Sequence, residues 1–196
     1  MTARIVPAAP RSNKNIEDLA LGIIMKCQPG VFTAGEAFDI ERFFECHLED
    51  MAGVETDYIQ LDEGVYGYTD SETRECVISL DLVETPHQRR FYRSTTAHES
   101  GHGIMHVDDY RRKQARLRSL HGKNHQLRMY RADDVVLYRN PEWQAYRFAG
   151  ALMMPARLVE EAVNRGFSVE DLSNRFDMHP AFVHYRLKSL GLQGRC

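Results

Sequence analysis

Two histidines four residues apart, with a glutamate directly after the first, stand at His98-Glu99-Ser100-Gly101-His102. On an α-helix, positions four apart lie one above the other on one face, so both imidazoles can turn toward one ion. Glu99 projects to the side, within reach of a water on that ion but not placed to be its third ligand. Metal-assisted hydrolysis of an amide needs this set: neutral imidazoles that hold a zinc ion, and a carboxylate that takes a proton from the metal-bound water. The five-residue pattern also arises by chance, and it gains force only with a third ligand from another helix. Thr96-Ala97-His98-Glu99 reads equally as a capping box, the two histidines then being satisfied on a helix surface. Gly101 and Gly103 weigh against that, because each glycine inside a helix costs on the order of 1 kcal/mol relative to alanine. A close backbone or ligand approach would account for both.

A second helix that carries a carboxylate follows at Glu142. Asn140-Pro141-Glu142 is a helix start, with Asn140 as N-cap and Pro141 at the first helical position, and Pro155 stops the helix. Ala145, Phe148, Ala149 and Leu152 form its buried stripe, and Glu142 lies one turn before Ala145 near that face. A carboxylate beside an apolar stripe needs a partner, and a metal would be one.

The elements that must position these groups follow from periodicity and punctuation. Residues 1–14 read as a flexible or loosely docked arm. Asn15 caps a first helix running to about Lys26, broken by Pro29-Gly30, and Asp39 caps a second to about Met51. Cys46 and His47 on that helix read as packing and solvent contacts. Between Val54 and Leu82 short strand-like runs appear at 58–61, 65–68 and 76–80, with a polar turn at Asp70 to Glu75. Together they predict an α+β fold with a small, mostly antiparallel three-stranded sheet ahead of the metal-binding helix. Cys76-Val77-Ile78-Ser79-Leu80 is the candidate edge strand that pairs with an extended substrate, a plain core hairpin being the alternative. The active-site helix is expected to start between Gln88 and Ser94 and to end after His106. Two short helices close the chain, one opened by Ser168 and one by Pro180, and resemble a helix-turn-helix. As a DNA reader that pair would present His179, His184, Arg186 and Lys188. Residues 156–196 carry 6 basic and 5 acidic groups, a weak balance for phosphate binding. The expected organisation is therefore an arm at 1–14, a catalytic domain at 15–155 and a helical region at 156–196.

Charge is unevenly spread. Residues 1–110 hold 9 Lys/Arg against 20 Asp/Glu, a balance of −11, while residues 111–131 hold 8 Lys/Arg and no acid. That basic segment is either a solvated face or a patch for an acidic partner or nucleic acid, and its few aromatics argue against a base-stacking platform. Four widely spaced cysteines without a CxxC pair suit reduced thiols. The N-terminus shows no apolar signal region, and Leu19 to Met25 is too short to span a bilayer. These features predict a cytoplasmic protein with no membrane partner.

His-Glu-Ser-Gly-His followed by E-x-x-A-x-x-F-A-x-x-L-M-x-P from Glu142 to Pro155 resembles the ImmA/IrrE family of metallo-endopeptidases. The resemblance implies a zincin-like fold over roughly residues 15–192, with His98, His102 and Glu142 as metal ligands and Glu99 as general base. It implies Zn2+ as the ion, with Mn2+ as the alternative. His106 matches the last histidine of the family's H-E-x-x-H-x-x-x-H pattern and is assigned to a supporting or substrate-side place. Where gluzincins with an E-x-x-x-D helix carry aspartate, this chain has Tyr146, which either packs, orients a ligand or stabilises an oxyanion. The resemblance further implies a protein substrate, a helix-turn-helix transcriptional repressor whose cleavage switches on stress or mobile-element genes. The rival readings are a non-proteolytic DNA- or protein-binding regulator with a structural metal, and a toxin–antitoxin or phage-derived component.

Overall fold

The computed structural model describes residues 3–121 and 126–195; Lys123 of the basic segment and Cys196 lie outside them. Strand β1 (Arg4–Ile5) opens the chain, and helix α1 (Asn13–Cys27) follows. Ser12 caps α1 and Asn15 reaches back to it, so Asn15 is the third residue of a capping box and not the cap itself. A short turn, α2 (Gly30–Thr33), leads to α3 (Ile40–Cys46), which Asp39 caps as expected. His47 interrupts the second helix, and α4 (Leu48–Ala52) resumes it before Gly53 turns the chain at φ 62°.

Strands β2 (Glu55–Ile59), β3 (Gly67–Asp70) and β4 (Glu75–Ser79) form one sheet in the order β2-β4-β3. β4 runs parallel to β2 and antiparallel to β3, so the sheet is mixed and not mostly antiparallel. The expected substrate-pairing strand, Cys76-Val77-Ile78-Ser79-Leu80, is corrected by this order. Its first four residues lie in the central strand with both edges occupied, and Leu80 begins helix α5 (Leu80–Val83). Burial on both faces explains why that stretch is continuously apolar instead of alternating. The turn between β3 and β4 is held by Asp70, whose Oδ1 accepts from the backbone of Glu72 and Thr73.

Helix α6 (Arg89–His102) carries the His-Glu pattern. Thr96 lies inside it, its hydroxyl donating to Tyr92 O, so the capping-box alternative does not hold. After His102 the helix does not end. It widens into one π turn (Gly103–Val107) and continues as α7 (Asp108–His121), the basic, wholly unburied helix. Strand β5 (Tyr130–Arg131) pairs antiparallel with β1. Helix α8 (Pro141–Met153) begins on the Asn140 cap, whose Oδ1 accepts from Trp143 N, and packs along α6 and α1. The last part holds three helices where two were expected: α9 (Ala156–Asn164), α10 (Val169–Phe176) and α11 (Pro180–Ser189).

Two expectations about chain organisation change. The N-terminal arm is laced down: Tyr110 Oη donates to Val6 O, Lys113 Nζ to Pro7 O, and Ala9 N to Asp109 Oδ2. The helices from 156 onward share one apolar core with the rest, since Leu172, Phe176, Val183 and Leu187 pack in the same cluster as Ile16, Phe44 and Phe148. Arg186 is buried and ion-paired with Glu17 of α1, so it cannot read DNA. The N-terminus of α6 is tied to α10 as well, through Arg90 to Ser173 and Arg93 to the Asp177 carbonyl.

Candidate metal centre

His98 and His102 lie on the face of α6 that meets the start of α8. His102 Nε2 stands 3.1 Å from His98 Nε2, His98 Nε2 stands 3.2 Å from Glu142 Oε2, and His102 Nε2 stands 3.4 Å from Glu142 Oε1. Two donors each about 2.05 Å from a tetrahedral ion are about 3.3 Å apart. The two Nε2 atoms and the Glu142 carboxylate, which meets His98 through Oε2 and His102 through Oε1, are therefore spaced as donors around a zinc ion are, and the residues present fit the ion. The fold brings His98, His102 and Glu142 together as one group that could hold a metal ion.

Close contact between the two helices makes this possible. At Gly101 an added Cβ would meet Phe148 Cδ1 at 3.0 Å and Ala145 Cα at 3.3 Å, so only glycine lets α8 approach this near. Gly103 has no such crowding, its nearest neighbour lying at 3.6 Å; it opens the π turn instead. Along a regular helix His106 would sit about 80° round from His98. The wider π turn swings it back beneath His102, and their Nδ1 atoms lie 3.1 Å apart. His106 is buried, and its Nε2 meets Gln144 Oε1 at 3.0 Å.

Glu99 turns away from the triangle toward the sheet. Thr69 of β3 donates to Glu99 Oε2 at 2.8 Å, and Gly67 permits this approach, because a Cβ there would meet Val77 O at 2.9 Å and Glu99 Cγ at 3.1 Å. Tyr146 is half exposed, with its ring 4.3 Å from that of His98 and 5.6 Å from Tyr185. His98 Nδ1 is buried with no hydrogen-bond partner, so the two imidazoles differ in their outer support.

The electrostatics follow from this clustering. Hydrogen bonds from His102 and then His98 hold the Glu142 carboxyl well below the usual carboxylate range. Burial presses on a charged His102, but the Glu142 hydrogen bond and the Glu99 carboxylate carry its pKa above that of an ordinary histidine. Burial, followed by the neighbouring His102, pushes His106 down to about 3. Burial and then the Glu142 and Glu99 charges raise Tyr146.

The triangle sits between two hollows. One, of 640 Å³, lies on the His98 and Glu99 side and is walled by Tyr66, Phe91, Tyr146, Phe182 and Tyr185. The other, of 610 Å³, lies on the His102 and Glu142 side and is more polar, with Arg4, Asp70 and Glu72 among its walls. Thr69 and Gln144 both support the site and were not among the residues expected from sequence. Gln144 carries the only available signal, a polar residue on the inward stripe of α8.

A family model described as Peptidase_M78, IrrE N-terminal-like domain, matches residues 63–188. The chain belongs to the Peptidase_M78 family. The matched region of this M78 chain holds the donor triangle, Glu99 and Thr69, while the N-terminal arm precedes it. A search of curated proteins gives no match. A solved structure described as a Mycobacterium tuberculosis transcriptional regulator superposes with a TM-score of 0.55 at 17% identity, over 93% of this chain and 50% of that one. The M78 chain thus spans half the length of that regulator, and at this identity the likeness is one of fold. Cys27, Cys46 and Cys76 are unpaired, and among the described residues no helix is long and apolar enough to cross a membrane.

Proposed function

We propose that this M78 chain is a zinc-dependent endopeptidase in which His98, His102 and Glu142 hold the ion and Glu99 is the general base. The observation that carries the reading is the donor cluster, two Nε2 atoms 3.1 Å apart and each within 3.2–3.4 Å of one oxygen of Glu142, beside a carboxylate not drawn into it. When bound, a zinc ion supplies Lewis acidity, polarising the scissile carbonyl and making water acidic near neutral pH. Glu99 accepts the proton of the attacking water on Oε1, its Oε2 being held by Thr69, and delivers that proton to the departing amine as the C–N bond breaks. An extended peptide lies along β3, which is an edge strand beside α6, and not along the central β4. Tyr146, at the rim, faces the substrate. His106 supports His102 through the contact of their Nδ1 atoms.

The substrate in this reading is a helix-turn-helix transcriptional repressor, and the setting is the cytoplasm. The family resemblance supports the first, together with a fold neighbour described as a transcriptional regulator. That description also supports a second reading, a non-proteolytic regulator with a structural ion. A structural zinc site is closed by a fourth protein ligand and has no use for a base, whereas three donors converge here and Glu99 stands beside them.

Co-expression with a helix-turn-helix repressor encoded beside the gene tests the proposal. Wild type should cleave it. Glu99→Gln should retain zinc and lose cleavage by at least about 100-fold. A Glu99→Gln variant that cleaves as well as wild type rules out the mechanism.

A further inference from the structure

Gln144 lies on α8 two residues after Glu142 and is fully buried. Its Nε2 donates to two backbone carbonyls, Ala9 O and Tyr138 O, each at 2.8 Å. An amide has two N–H donors on nitrogen and only acceptor capacity on oxygen. Both donors are used on groups that can only accept, so the amide cannot be turned over without setting its oxygen against two carbonyls. Oε1 therefore faces His106, and His106 Nε2 at 3.0 Å must carry the hydrogen. Neither ring nitrogen of the buried His106 meets a carboxylate, their partners being an amide oxygen and a second imidazole, so nothing there holds a second proton and the ring has one N–H. Its Nδ1 is bare and accepts from His102 Nδ1 at 3.1 Å. His102 then keeps its hydrogen on Nδ1, and Nε2, which shares a proton with Glu142 only when no ion is bound, is the nitrogen left for a metal. The reversed chain would put the hydrogen on His102 Nε2 and block it as a ligand.

We infer that Gln144 is a positioning residue that fixes the tautomer of His102, and that the N-terminal arm, through the Ala9 carbonyl, is a working part of the metal site. Ala9 is itself anchored, its N–H donating to Asp109 and the N–H of Ala8 to Arg139 O. A backbone carbonyl before the family-matched region thus decides which ring nitrogen, two side chains away, is free for the ion. The consequence for metal affinity rests on the metal reading above; the tautomer does not.

The test is long-range 1H–15N NMR of the histidine rings in the full chain, metal-free and then zinc-loaded. The expected spectrum shows His106 protonated at Nε2 in both states and His102 protonated at Nδ1 with zinc. A His106 ring protonated at Nδ1 in either state overturns the inference, and no variant needs to fold for that result. In Gln144→Leu, zinc affinity by chelator competition should fall about 10- to 100-fold and His106 should lose its fixed tautomer, while exposed His87→Gln changes neither. Unchanged zinc affinity in a natively folded Gln144→Leu overturns the role of Gln144. Gln144→Glu keeps an acceptor for His106 but sets a carboxylate oxygen against the two carbonyls. Its His106 tautomer should persist while amide exchange at Ala8 and Ala9 rises, and unchanged exchange there overturns the role of the arm. Absence of zinc binding by wild type defeats the metal reading instead, and the tautomer remains readable in the metal-free chain.

Discussion

Thr69 makes a hydrogen bond to an ionised partner, the Glu99 carboxylate, and such bonds are worth about 1.5–3 kcal/mol. Thr69→Val keeps the shape and removes the donor, so kcat on a cleavable repressor should fall about tenfold with zinc content unchanged; a variant with wild-type kcat contradicts the positioning of Glu99. His106 gives a pH prediction for the metal-free protein, held in chelator. Its pKa of about 3 when folded lies below the ordinary value of about 6.5 for a free histidine. The unfolded chain therefore takes up the proton first. The contribution of His106 is complete above about pH 6.5 and is lost as pH falls toward 3, at up to about 1.4 kcal/mol per pH unit. Urea midpoints between pH 7 and 4 should fall less steeply for His106→Gln than for wild type, and parallel slopes contradict this. His98, Glu99 and His102 were legible because a four-residue spacing is a local fact of helices. Glu142 was legible from its cap and apolar stripe and from family resemblance. Thr69 was not, because it reaches Glu99 only through the pairing of β3 with β4, thirty residues upstream.

The contact of α6 with α8 decides whether Glu142 meets the histidines. Gly101→Ala puts a methyl 3.0 Å from Phe148 and 3.3 Å from the Ala145 backbone. That overpacking should cost about 1–3 kcal/mol in denaturant unfolding and weaken zinc binding in parallel. The same change at Gly103, where contacts are ordinary, should do much less; equal costs at the two sites contradict the close-approach account. The glycines were visible in the sequence as helix breakers that needed a reason, but only the structure separates their reasons. The sheet order was misread for a related cause. Cys76-Val77-Ile78 lacks alternation because both of its faces are covered, and an unbroken apolar run marks a central strand better than an edge. The π turn had Gly103 as its one sequence mark, and a glycine inside a helix does not by itself specify a wider turn. Helix α9 did have one, with Leu158, Val159, Ala162 and Val163 buried on one side.

Across the whole molecule, the C-terminal helices and the N-terminal arm are tied from opposite ends of the chain to the elements that carry the candidate site. Arg186 of α11 is buried against Glu17 of α1 and the Met154 carbonyl. Arg186→Ala empties a buried position and strips the Met154 carbonyl of its donor, while the partly exposed Glu17 can turn to water, so it should cost about 1–3 kcal/mol; an unchanged unfolding midpoint contradicts a shared core. These tertiary ties escaped the sequence because charge and helix periodicity do not record which distant residue answers a buried arginine. The central claim is that two imidazoles and one carboxylate from two helices hold a single zinc ion. X-ray absorption at the zinc edge of the loaded full chain, with metal content measured on the same sample, tests it most directly. One zinc per chain is predicted, surrounded by nitrogen and oxygen at about 2.0–2.2 Å with two imidazole signatures, and lost or greatly weakened in Glu142→Ala. A sulfur neighbour at about 2.3 Å, or full zinc retention when His98 and His102 are both replaced by alanine, would contradict it.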